Sequence, residues 1–125
     1  MLENQIYQKN IRQLEISNPV FANKIQEVSL QPEYEVFPAK KEGFSLKVKD
    51  ILSHSKIAPL EEARKIAEKE DFSKQDLIIV GGAGLGYVLP ILCNRYPDKQ
   101  ILYIEKSWQI LKLAFQTIDF TQILS

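Results

Sequence analysis

Four of the chain's five glycines fall within six residues, at Gly81, Gly82, Gly84 and Gly86. They follow a continuous apolar run, Asp76-Leu77-Ile78-Ile79-Val80, and open a helical stretch from about Gly86 to Arg95. Glycine lets a backbone turn sharply and approach a ligand closely, because no Cβ intervenes. A helix starting at such a turn offers N–H groups and a positive dipole end to an anion. A second apolar run, Ile101-Leu102-Tyr103-Ile104, ends in Glu105. Trp108, Leu111, Phe115 and Ile118, with Ala114 on the same face, then mark another helix. Uniformly apolar strands separated by a helix predict a parallel pair buried on both faces, joined by a right-handed crossover. Residues 76–125 thus read as a Rossmann-like β-α-β-α unit that stops after its second strand and helix.

Upstream the periodicity differs. Tyr7, Ile11 and Leu14, with Ile6 beside them, predict a helix over 3–16. Asn18 and Pro19 supply the N-cap and first position of a second helix carrying Phe21, Ile25 and Val28. These two helices make a helical segment over 1–30. Residues 31–75 read as a small antiparallel meander and a helix. The strands are Tyr34–Phe37, Phe44–Val48 and Ile51–Ser53, and the helix opens at Pro59 with Leu60, Ala63 and Ala67 on one face. The fold class is α/β with an α+β front, all in one domain. At 125 residues the chain is too short for a two-halved dinucleotide-binding or seven-stranded methyltransferase domain, so it reads as the front of a longer protein. Two parallel strands cannot cover their own faces. The pair is therefore expected to join the meander in a mixed sheet or to be completed by a second chain. The helix over 107–118 would then keep a partly exposed apolar face, a contact for a partner domain or a homodimer.

The glycine spacing is G-x-G-x-G. A dinucleotide fingerprint would need glycine at position 87, which is Tyr87. The spacing looks more like the first motif of Rossmann-type methyltransferases that use S-adenosylmethionine. There the acidic residue ending the second strand binds ribose hydroxyls, and Glu105 stands 19 positions after Gly86. The candidate cofactor-binding residues are Gly82, Gly84, Gly86, Tyr87 and Glu105, with His54, between Ser53 and Ser55, as a further ligand contact. The alternative is that the glycines simply make a tight strand-to-helix turn and Glu105 caps the next helix. Cys93 and Trp108 fit packing better than chemistry.

Composition narrows the classes of function. Sixteen basic and sixteen acidic residues cancel, which argues against nucleic acid and anionic membranes as partners. One Cys and one His exclude a disulfide framework and a Cys/His zinc site. The apolar runs are far shorter than a membrane span, and the N-terminus is polar where a signal peptide would be basic and then apolar. The expected setting is cytoplasmic. No general base, nucleophile pair or metal set is legible, so no catalytic residue is assigned.

Together, Leu52-Ser53-His54-Ser55, Pro59 with its Glu-Ala helix, Leu77 through Tyr87, Ile104-Glu105-Lys106 and Leu111-Lys112-Leu113-Ala114 carry a resemblance. From about residue 30 onward the chain resembles the N-terminal region of the motility-associated factor glycosyltransferases. Those bacterial proteins attach nonulosonic, sialic-acid-like sugars to flagellin. They share a central domain with 6-hydroxymethylpterin diphosphokinase-like proteins. The resemblance implies an accessory N-terminal Rossmann-like domain. It would bind a nucleotide or nucleotide-sugar, or only a partner domain, with the transferase centre lying elsewhere. An S-adenosylmethionine-binding methyltransferase-like fragment and a purely structural interaction domain are the competing readings.

Overall fold

The computed structural model describes residues 2–124. Helices α1 (Leu2–Ser17) and α2 (Pro19–Glu27) come first. Asn18 caps α2, its side-chain oxygen accepting the Phe21 N–H at 3.1 Å, and Pro19 takes the first helical position, where no N–H is needed. Strands β1 (Tyr34–Pro38), β2 (Phe44–Val48) and β3 (Ile51–Leu52) form the antiparallel meander. Its second turn, Lys49-Asp50, has φ of 49° and 68°, the left-handed pair whose twist suits a two-residue hairpin. Helix α3 (Pro59–Glu68) buries Ala63 and Ala67. Then come β4 (Leu77–Gly81), α4 (Val88–Arg95), β5 (Gln100–Ile104), α5 (Trp108–Thr117) and a short α6 (Thr121–Leu124) that the sequence pattern did not reveal. Pro90 falls in the first turn of α4, where its missing N–H breaks no helical bond.

The architecture is α/β: β4 and β5 are parallel, with Ile78 opposite Ile101 and Val80 opposite Tyr103. Three expectations need correction. The strand pair does not join the meander; it stands as its own two-stranded sheet. It is also not buried on both faces. Ile78 is 4% exposed, whereas Leu77, Ile79, Leu102 and Ile104 are 47%, 61%, 48% and 51% exposed. Side chains alternate across a strand, and only the face holding Ile78, Val80, Ile101 and Tyr103 packs against the core. Finally, the apolar side of α5 is covered. Leu111, Ala114 and Phe115 pack with Ile11 and Leu14 of α1 and Ala22 and Ile25 of α2. Exposed aliphatic surface therefore lies on the sheet rather than along 107–118, where Trp108 is the exposed large apolar residue.

One polar side chain lies inside this core. Asn10 is fully buried. Its Nδ2 donates to the carbonyls of Phe115 at 2.8 Å and Ile118 at 2.7 Å, and its Oδ1 accepts the Phe120 N–H at 2.7 Å. It ties α1 to the end of α5 and the turn into α6.

Candidate functional site

The glycine segment leaves β4 in register with β5: the Gly82 N–H donates to the Ile104 carbonyl at 2.9 Å. The backbone then turns through left-handed conformations at Gly82, Gly84 and Gly86, with φ of 61°, 58° and 89°. A side chain would strain all three, but their surroundings differ. A Cβ at Gly82 would meet open space, whereas one at Gly84 would lie 2.5 Å from His54 Nε2 and one at Gly86 would lie 2.9 Å from Phe120 Cζ. The first half of the segment is open and the second half is packed.

What packs on it is Phe120, His54 from the loop after β3, and strand β2 of the meander. The Leu85 N–H donates to His54 Nε2 at 2.8 Å. Tyr87 crosses to β2, its hydroxyl donating to the Phe44 carbonyl at 2.7 Å and accepting the Phe44 N–H at 2.8 Å. The two rings meet edge to face at 5.4 Å. His54 is itself anchored, its carbonyl accepting a hydrogen bond from Ser45 Oγ at 2.9 Å. Thus His54 and the Gly84-Leu85-Gly86-Tyr87 segment, far apart in sequence, are directly bonded. Two of the expected ligand contacts form a clasp that holds the turn.

His54, Glu62, Gly81, Gly82 and Tyr87 line one cavity of about 240 Å³ beside β4. Glu105 does not line it. Its carboxylate accepts the Ser107 N–H at 3.0 Å, next to Ser107, which N-caps α5 by accepting the Ile110 N–H at 3.2 Å. Trp108 lies 5.3 Å from the Phe21 ring, packed at the foot of α2. Sequence patterning brought out neither Glu62 as the neighbour of His54 nor Asn10. A wider groove of about 920 Å³ runs between α3, α4 and α6, lined by opposed charges such as Arg64, Glu68, Arg95 and Asp119. None of the motif residues faces it. Among the described residues no group of His, Cys, Asp or Glu could hold a metal ion, and no helix is long and apolar enough to cross a membrane.

The clasp fixes the protonation state of His54. To accept the Leu85 N–H, Nε2 must be unprotonated, so the ring proton sits on Nδ1, 3.9 Å from Glu62 Oε1. Burial pushes the imidazole pKa below its ordinary 6.5, and the Glu62 carboxylate opposes that shift. The unfolded chain therefore takes up the proton first. The clasp's contribution is complete above about pH 6.5 and is lost as pH falls through the lower native value. The Tm is expected to fall between pH 7.5 and 5, and His54→Gln should flatten that slope. The carboxyls of Asp71 and Asp119, held low by hydrogen bonds from Ser73 and Thr121, respond only at more acid pH. An equal slope in wild type and variant would refute the assignment. Set against protein-family models, curated proteins and solved structures, the chain finds no match in any of the three comparisons.

Proposed function

We propose that this chain is a non-catalytic accessory domain, built on a Rossmann-like β-α-β-α unit, of a motility-associated-factor-type protein acting in cytoplasmic flagellin glycosylation. The observation that carries the reading is the uncovered sheet face of Leu77, Ile79, Leu102 and Ile104. A contiguous aliphatic face on a sheet marks a surface meant to be covered by another protein element, which suits a domain that docks on a transferase. The bond between His54 and Leu85 adds support, since it unites two segments of the family-like string. A nucleotide, a nucleotide-sugar or S-adenosylmethionine would enter beside Gly82. The cavity of about 240 Å³ falls below the roughly 300–1,000 Å³ usual for ligand pockets, and Glu105 is engaged with Ser107. Ligand binding therefore ranks behind docking.

Deleting the coding sequence in its native host and weighing intact flagellin tests the reading. Loss of the mass increments of nonulosonic sugars is expected, and unchanged flagellin mass would overturn it. In thermal-shift titrations, CMP-sugars, UDP-sugars and S-adenosylmethionine are expected to leave the Tm unmoved. A shift with S-adenosylmethionine that Glu105→Ala abolishes would replace this reading with the methyltransferase-like one.

A further inference from the structure

Pairing with β5 uses only one edge of β4. The Gln100 N–H donates to the Asp76 carbonyl at 3.1 Å, and the Gly82 N–H donates to the Ile104 carbonyl at 2.9 Å. In a parallel pair the bonding residues alternate along each strand. Asp76, Ile78, Val80 and Gly82 therefore face β5, and Leu77, Ile79 and Gly81 turn their N–H and C=O groups the other way. Among the described residues no further strand meets them, since the sheet has two strands. Ile79 is 61% exposed. Gly81 is exposed as well, and in a glycine that surface is the backbone itself. The meander guards its own edges: β3 has only two residues, and β1 carries Glu35 and ends in Pro38. Short strands, charges and proline are the usual protection against edge pairing. The β4 edge, Leu77-Ile78-Ile79-Val80-Gly81, has no charge and no proline.

We propose that this edge receives an extended, uncharged, aliphatic segment of a partner protein as a third strand. Strand addition takes its affinity from main-chain hydrogen bonds and its selectivity from alternate side chains. One set of the segment's side chains would continue the exposed row of Leu77 and Ile79. The other set would enter the cavity of about 240 Å³ beside β4, against Ala63, Ile66, Val80 and Val88. Ile66 of α3 is 57% exposed, and the added strand would cover it. A space of that size suits small residues such as alanine and valine. The charge match is one of neutrality: no charged side chain projects from the edge, so a neutral segment loses nothing there and a charged one finds no counter-ion. The edge is continuous with the docking face of Leu77 and Ile79, so one partner can cover both. The identity of that partner rests on the docking reading above, whereas the strand site is testable without it.

The probe is a synthetic peptide of alternating valine and alanine, capped by lysines for solubility and titrated into the full chain while amide NMR signals are followed. Shifts are expected at Leu77, Ile79, Gly81 and Ile66. Two further peptides of the same sequence carry N-methyl groups, one on the alanines and the other on the valines. Only one alternate set of amides can face β4. One methylation pattern is therefore expected to weaken binding about tenfold or more, and the other less than about threefold. Ile79→Pro removes an outward N–H and breaks no bond to β5, and it should weaken the unmethylated peptide about tenfold. The methylated pair is read on the wild-type chain, so the outcome does not depend on that variant folding. No binding at millimolar peptide would overturn the proposal. So would an equal response to the two methylation patterns, or shifts confined to other parts of the chain. Flagellin mass in the deletion strain tests the docking reading separately.

Discussion

Asn10→Leu is expected to be among the most damaging single substitutions in this chain, lowering stability by about 3–6 kcal/mol. Leucine keeps the branched heavy-atom shape and is bulkier, so the loss does not come from a cavity. It comes from three backbone groups, the buried Phe115 carbonyl and Phe120 N–H and the part-buried Ile118 carbonyl, which lose their partner. Each orphaned buried group costs about 1–3 kcal/mol. A small domain is stable by only about 5–15 kcal/mol, so the variant should melt well over 10 °C lower or not fold at 37 °C. Asn10→Asp should do no better, because it keeps the acceptor, loses both donors and adds a buried charge. Urea denaturation of the three proteins checks this. A loss below about 1 kcal/mol for Asn10→Leu would mean that the three bonds are replaceable by water.

The second large effect is graded along the glycine segment. Gly84→Ala is expected to cost about 2–4 kcal/mol, from left-handed strain of roughly 1–2 kcal/mol and from displacement of the His54 ring, which gives up the Leu85 N–H. Gly82→Ala, with φ of 61° but open space around it, should cost the strain alone, about 1–2 kcal/mol. Gly81→Ala, with no atom within 4 Å and no left-handed φ, should fall within about 0.5 kcal/mol of wild type. The double variant with His54→Ala separates the two terms. If the imidazole contact matters, Gly84→Ala costs about 1 kcal/mol less in that background. Equal costs in both backgrounds would assign the whole effect to backbone strain and leave His54 without a role in holding the turn.

The elements were legible because each rests on a local signal. The Asn18-Pro19 break, the alternation in Phe44–Val48, the Pro59 helix start and the glycine-ended strand all appear where neighbouring residues alone determine the backbone. What was not legible depends on partners distant in sequence. Asn10 reads as one more polar residue of an amphipathic helix, because its partners are backbone atoms and leave no side-chain pattern. The apolar runs of β4 and β5 predict burial on both faces, which holds for one face only. Whether a second layer covers each face is decided by the rest of the fold, and one remains open. His54 and Gly84 to Tyr87 stood out separately. Their bonding to each other could not be read, because chemistry that suits a ligand, an imidazole near free N–H groups, equally suits the protein's own backbone.

The Asn10 bonds also set an order of events. Their partners lie 105, 108 and 110 residues further along the chain. During synthesis, which proceeds at about 5–20 residues per second, α1 emerges well before Phe120 and cannot complete the Asn10 bonds until Phe120 has left the ribosome. Until then its Ile11 and Leu14 lack the α5 surface that buries them. Contacts of such long range slow folding, so the nascent chain carries an exposed amphipathic helix for several seconds. That interval favours chaperone engagement at α1, and it makes the last turn before α6 the point at which the fold closes.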